Sequence, residues 1–258
     1  MPNARPLLVP YRLARALVAV DFRRIYENAR GSLRFARTMR EYGKRATGAF
    51  ALRVRDLYPI LGDFEGSAGT ASGDYFHQDL WAARKIFQRQ PGRHVDIGSR
   101  IDGFVAHLLV FMPVDVVDVR PLRGNVAGLN FVQSDGATLA SFPDNSVESL
   151  SSLHAVEHFG LGRYGDPVDP DACFRAMNNL ARILRPDGHL YFSVPIGKER
   201  VEFNAQRVFS PQTILAHFGA LKLLSFCAVD AKGDFVPKCQ PSEYANADRA
   251  CGLFEFTK

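Results

Sequence analysis

The stretch VDIGSRIDG, Val95–Gly103, decides how this sequence is read. A short apolar run that ends in a glycine has the pattern of a buried strand feeding a tight turn and then a helix. Gly98 can turn the chain sharply, and Gly103 can let the following helix approach the strand. About twenty residues later a second apolar run ends in Asp118, where a carboxylate can hold two ribose hydroxyls. A third run leads into Gln133-Ser134-Asp135 and places another acid in a loop. In an open parallel sheet, loops at the carboxyl ends of three such strands converge on one crevice. Singly, each signal has a plainer explanation, a turn glycine or a helix-capping Asp. In this order and at this spacing they point to a nucleotide-type cofactor site.

Working outward, short apolar runs alternate with helical patterns, which predicts parallel strands with crossover helices. The expected strands are 94–97, 115–119, 130–133, 146–153 and 189–194, with 221–229 and 252–257 as an antiparallel pair at the sheet edge. Asp169-Pro170 predicts a helix start, with Phe174, Met177, Ala181 and Leu184 as its apolar stripe and Pro186-Asp187-Gly188 as its stop. Ser210-Pro211 starts another, with Ile214, Leu215 and Phe218 inward.

Charge divides the chain. Its formal net charge is +5, yet residues 1–55 hold thirteen Lys and Arg against Asp21, Glu27 and Glu41, a net of +10, and the remainder is −5. Arg34, Arg37, Arg40 and Lys44 share one helical face, opposite Phe35, Met39 and Tyr42. The plain reading is a docked helix with a solvated basic face; the other is a site for an anionic partner, a membrane surface, a phosphorylated substrate or nucleic acid, the last the weakest because no motif for it is present. Gly62–Gly73 (GDFEGSAGTASG) reads as a linker, giving a basic helical arm over 1–61 and a body over 74–258. No apolar run reaches the roughly 18 residues of a membrane span, and Arg12 and Arg15 interrupt any signal peptide. Cys173, Cys227, Cys239 and Cys251 show no metal or disulfide spacing. A cytoplasmic protein, peripheral to the membrane's inner face if the arm binds it, is the expectation.

The dinucleotide fingerprint wants a glycine where this chain has Arg100, because a pyrophosphate must approach bare backbone there. S-adenosylmethionine has no pyrophosphate, and its ribose and adenine suit Asp118 and Asp135. The runs VDIGS, VVDVRP, FVQSDGATLASFPDNSVESLSSLHAVEH and LARILRPDGHLYFSVP resemble class I S-adenosylmethionine-dependent methyltransferases over roughly residues 75–258. Within that superfamily, YFHQDLWAARKI, EHFGLGRYGDPVDPDACF and RVEFNAQRVF resemble an uncharacterised bacterial family associated with surface-polysaccharide clusters. The resemblance implies an α/β Rossmann-like seven-stranded, mostly parallel sheet with a reversed edge strand. It implies cofactor contacts at Asp96, Gly98, Ser99, Asp118, Val119, Asp135 and Gly136. Arg100 and Asp102 depart from the small residues or glycines that typical members carry.

Methyl transfer to a hydroxyl is an in-line displacement helped by a base. His154, His158 and Glu157 follow the fourth strand, where the reactive methyl would lie, with His154 the first choice as base, His158 the second and Glu157 orienting. The same run reads as H-x-x-E-H, but a strand and not a helix precedes it, so no metal site is expected. Arg163 could clamp an anion, Tyr164 could stack on a sugar, and Asp166 lies in the same turn-rich loop. Glu202, Asn204 and Arg207 form a second polar loop, read as a substrate wall or a solvated hairpin. Tyr75, His77 and Gln78 could close over the cofactor. The function expected is O-methylation of a sugar or glycan precursor, lipid-linked or small. The rivals are a non-catalytic cofactor-binding scaffold and an NAD-dependent sugar enzyme.

Overall fold

A computed structural model describes residues 22–258. The first 21 residues of the expected arm, including its Arg-rich start, lie outside the described residues. The chain divides into two compact units between Thr70 and Ala71. In the first, α1 (Phe22–Arg45) is followed by three single 3-10 turns, Gly48–Phe50, Val54–Asp56 and Asp63–Glu65. Within this unit the Leu61 carbonyl oxygen lies where a Cβ on Gly31 would stand, so only glycine lets the two segments touch. Arg37, Arg40 and Lys44 are exposed on α1, and Phe35 and Met39 are half-buried.

The second unit, from Ala71, has α2 (Asp74–Arg89) as its first helix. The strands are β1 (His94–Ile97), β2 (Val114–Asp118), β3 (Leu129–Gln133), β4 (Val147–Leu153), β5 (Leu184–Ile196), the hairpin β6 (Arg200–Glu202) and β7 (Gln206–Val208), then β8 (Lys222–Val229), β9 (Phe235–Val236) and β10 (Ala250–Thr257). Eight of them form one sheet in the order β3-β2-β1-β4-β5-β10-β8-β9. β1 to β5 run parallel, while β10 is antiparallel to both β5 and β8.

Two expectations need correction. The sheet has eight strands rather than seven, because residues 235–236 add a reversed edge. The reversed strand β10 is not at the edge but between β5 and β8. Its side chains are buried from Ala250 through Phe256, alternating onto both layers, as an internal strand requires.

One face of the sheet is covered by α2 with Trp81, Ala82 and Ile86, and by a π-turn (Ile101–Val105) that runs into α3 (Ala106–Leu108). The other is covered by α4 (Ala172–Ile183) and α5 (Pro211–His217), through Met177, Leu180, Ile214 and the flanking Phe218. Ser210 caps α5 through the Gln212 N–H. α4 starts later than its Asp-Pro signal suggests: Asp171 is the N-cap, and Asp169 accepts from the Asp171 N–H at 2.9 Å and pairs with Arg175 instead.

Phe254 of β10 meets Phe192, Phe226 and Phe256 in the α4 layer. Phe254→Ala should destabilise the protein by about 3–5 kcal/mol. Leu224→Ala on β8, 43% exposed, should cost less than about 1 kcal/mol. Denaturant unfolding of the two variants checks both.

Candidate functional site

A cavity of about 590 Å³ opens at the carboxyl ends of β1, β2 and β4. Of the expected cofactor contacts, Gly98, Ser99, Asp118, Val119, Asp135 and Gly136 all line it. Gly98 sits at φ +75°, and a Cβ there would come 3.0 Å from the Ala155 Cβ. A Cβ on Gly136 would meet Ile97 at 2.8 Å. Both glycines therefore keep the floor of the cavity thin. Gly103 serves a different approach from the one expected: a Cβ there would strike the Asp79 carboxylate of α2 at 2.5 Å.

Asp96 is not a lining residue. It is fully buried beneath the loop and accepts from the Ser99 N–H at 3.0 Å, the Ser99 hydroxyl at 2.6 Å and the Ser151 hydroxyl. Burial pushes its pKa up to about 6 against the opposing pull of the serine hydrogen bonds. It braces the turn rather than facing a ligand. Arg100 and Asp102 pair with each other at 2.9 and 3.1 Å on the exposed lip, and the Arg100 guanidinium lies 5.1 Å from the Tyr75 ring centre. Tyr75 lines the cavity. His77 packs on Phe235 instead, and Gln78 is buried, accepting from the Ser193 hydroxyl at 2.6 Å.

At the tip of β2, Asp118 is already engaged. Its Oδ1 accepts from the Arg120 backbone N–H at 2.8 Å and Nε at 2.9 Å, and its Oδ2 from Nη2 at 2.6 Å. Nothing in the run VVDVRP signalled that contact. Asp135 accepts from the Ala137 N–H at 2.8 Å through one oxygen.

The 154–158 segment leaves β4 through His154 in the left-handed region (φ 49°), then makes one 3-10 turn, Val156–His158. Both histidines line the cavity; Glu157 does not and is fully buried. Glu157 Oε1 lies 2.8 Å from His154 Nδ1 and 3.7 Å from His158 Nε2. On its other side His154 Nε2 meets the Cys251 sulfur of β10 at 3.2 Å. Burial works against a charged ring there, but Cys251 and Glu157 outweigh it and hold His154 well above the usual histidine range. His158 Nδ1 lies 2.8 Å from the Ala205 carbonyl, which fixes that nitrogen as the donor. Burial, aided by Arg163, lowers His158 below the usual range. With both ring nitrogens engaged, His154 does not fit the expected place of first-choice base. On His158 only Nδ1 is hydrogen-bonded, so its Nε2 keeps a lone pair.

Tyr164 and Asp166 line the rim of the cavity. Asp166 accepts from the Gly160 and Tyr164 N–H groups at 2.7 and 3.1 Å, so it shapes its own loop. Arg163 is not among the lining residues; it donates to the Ala205 carbonyl at 2.8 Å. Glu202, Asn204 and Arg207 do not line the cavity. Glu202 takes Arg200 within the hairpin, and Arg207 donates to the Phe159 and Pro170 carbonyls at 2.6 and 3.2 Å. The hairpin is therefore a brace for His158, not a substrate wall.

The body resembles solved structures at low identity. It matches the [4+2]-cyclase SpnF (TM-score 0.51, 13% identity, covering 70% of this chain and 81% of that one). It also matches the 1,6-didemethyltoxoflavin-N1-methyltransferase of Burkholderia thailandensis, solved with S-adenosylhomocysteine (0.50, 15%, 70% and 78%). A third match is the N-methyltransferase NodS of Bradyrhizobium japonicum WM9, also with S-adenosylhomocysteine (0.50, 13%, 72% and 88%). The body shares the fold of these structures. The family described as Caenorhabditis protein of unknown function, DUF268, matches residues 135–230. That description names neither bacteria nor polysaccharide. No curated protein matches the chain.

The two histidines should titrate apart. At pH 7 His154 should be an imidazolium and His158 a neutral ring protonated at Nδ1, as read by imidazole nitrogen chemical shifts. The elevated His154 value contributes stability in full below about pH 6.5, lost as pH rises through the folded-state pKa. Two rings neutral at pH 7 would refute the assignment.

Proposed function

We propose that this protein is an S-adenosylmethionine-dependent methyltransferase acting on a hydroxyl group, with His158 as the base. The observation that carries the reading is that His158, with Nδ1 tied to the Ala205 carbonyl, lines the same cavity as Gly98, Asp118 and Asp135. The residues fit the cofactor. Asp118 lines the cavity at the tip of β2, where its carboxylate is held by Arg120, Asp135 has an oxygen outside its own turn, and the Gly98 backbone is bare. When bound, the cofactor supplies an electrophilic methyl group on a sulfonium.

The chain's own part is to position and deprotonate the acceptor. Ala205 fixes the His158 tautomer, leaving Nε2 to take the hydroxyl proton as the new bond forms. Glu157, 3.7 Å from that nitrogen, stabilises the charge that then appears, without itself meeting the acceptor. Tyr164, 36% exposed at the rim, presents a ring face on which a sugar can rest, and a sugar or glycan precursor is the acceptor class we favour. SpnF, a cyclase of the same fold, keeps catalysis a separate question from fold.

Calorimetry should show S-adenosylhomocysteine binding and no NAD binding. Labelled-methyl transfer to nucleotide sugars separates an enzyme from a scaffold. On a confirmed acceptor, His158→Ala should lower turnover by about 10²–10⁴-fold with little change in S-adenosylhomocysteine affinity. The rate of the parent should rise with pH through one ionisation below 6.5. His154→Ala should move that limb upward, because it removes a positive neighbour from His158. Near-parent turnover in His158→Ala sinks the proposal.

We further propose that the first unit attaches the protein to an anionic membrane surface. Its support is the exposure of Ile25, Tyr26 and Leu33 beside Arg37, Arg40 and Lys44 on α1. Among the described residues no helix is long and apolar enough to cross a membrane. A chain beginning at Ala71 should still bind S-adenosylhomocysteine but lose salt-sensitive sedimentation with anionic liposomes. Equal sedimentation of both forms would refute the attachment.

A further inference from the structure

The carboxylate that should hold the ribose already holds a guanidinium. All the Asp118 contacts with Arg120 described above use the two oxygens that a ribose diol needs, and Asp118 is only 12% exposed. Oδ1 already accepts two hydrogen bonds, from the Arg120 N–H and Nε, so a diol that bridges both oxygens displaces the guanidinium from Oδ1. Cofactor binding must therefore turn the Arg120 side chain away from Asp118. Arg120 is 48% exposed, so it is free to move.

Its surroundings say what it would meet. The Arg120 guanidinium lies 4.6 Å from the Tyr164 ring centre, and that of Arg163 lies 5.0 Å from the same ring. The ring's third neighbour is His158, edge-on at 5.6 Å. Other charges on the rim are spoken for. Asp102 is paired with Arg100, Asp169 with Arg175, and Asp166 with backbone N–H groups. Arg163 itself bonds a backbone carbonyl, and no carboxylate among the described residues pairs with it. Once the ribose takes Asp118, two guanidiniums without a carboxylate partner flank one tyrosine next to the proposed base.

We propose that Arg120 is a latch on the cofactor site that, when displaced, joins Arg163 as a clamp for a phosphate group on the acceptor. The inference rests on the methyltransferase reading above and narrows its acceptor to a phosphorylated one, such as a sugar phosphate or a nucleotide sugar. Guanidiniums match phosphate oxygens in forked pairs, which is why two of them specify this group. Cofactor and phosphate then bind cooperatively, each strengthening the other by the same factor.

The test uses the full chain, with S-adenosylhomocysteine and inorganic phosphate as probes. In the parent, saturating S-adenosylhomocysteine should tighten phosphate binding about tenfold, the size of one charged hydrogen-bonded pair. Phosphate should tighten S-adenosylhomocysteine binding equally. Arg120→Met should bind S-adenosylhomocysteine about tenfold more tightly than the parent, having no latch to open, and should lose the coupling. Arg163→Met should weaken phosphate binding and leave S-adenosylhomocysteine affinity unchanged. Weaker S-adenosylhomocysteine binding by Arg120→Met would mean that the guanidinium serves the cofactor itself, and would overturn the latch. Phosphate binding that ignores S-adenosylhomocysteine would overturn the clamp. Failure of the parent to bind S-adenosylhomocysteine at all would sink the methyltransferase reading instead, so the two failures are distinct.

Discussion

Everything at the cavity hangs from one buried polar seam between β1 and β4. His94 spans the Ser149 and Ser151 hydroxyls at 2.8 and 2.9 Å, Ser151 passes its hydrogen bond to Asp96, and Ser152 donates to the Ile97 carbonyl at 2.9 Å. Burial drives the His94 pKa down to about 3, so the seam carries a neutral imidazole among hydroxyls. An unsatisfied buried group costs more than a satisfied one gains, so the seam accepts one register of β4 on β1 and no other. That register sets Gly98 against Ala155 and, through Ser99, which accepts from the Leu153 N–H, fixes where β4 releases the chain into His154.

From that point the site divides its charge. Two histidines four residues apart share a single buried carboxylate, and their other neighbours decide which one carries a proton. His154 has sulfur behind it; His158 has a carbonyl and a guanidinium. Environments that push like groups apart are how one fold assigns acid and base roles at neutral pH. The hairpin β6–β7 contributes Ala205 and Arg207 to this division without reaching the cavity.

The strands of the body were legible because each is an apolar run bounded by turn residues, and Gly98, Asp118 and Asp135 were legible from spacing along those runs. The interior placement of the last strand was not, since Glu255 interrupts the apolar run ACGLFEF and its partners Lys85 and His189 are distant in sequence. The contact between His154 and Cys251 joins residues 97 apart and exists only because β10 lies beside β5. Arg120 escaped for the opposite reason: it is two residues from Asp118, and local sequence does not reveal which rotamer a long side chain adopts. Asp96 was drawn to the site by the family resemblance, and Glu202 and Arg207 as polar residues of a loop that follows a strand. Their partners turned out to be the protein's own loops.

The interior position of β10 also bears on how the body is assembled as it is made. It follows every other strand of this sheet in the sequence, yet its place is between β5 and β8, both made earlier. Until residues 250–257 emerge, two hydrogen-bonding edges stand open, and the apolar faces of Phe192 and Phe226 lack their partner Phe254. Unpaired edges of that kind invite pairing with other chains. The nascent chain is thus most exposed to aggregation in the short interval before its final strand closes the sheet, and a slow stretch of synthesis there would prolong the hazard.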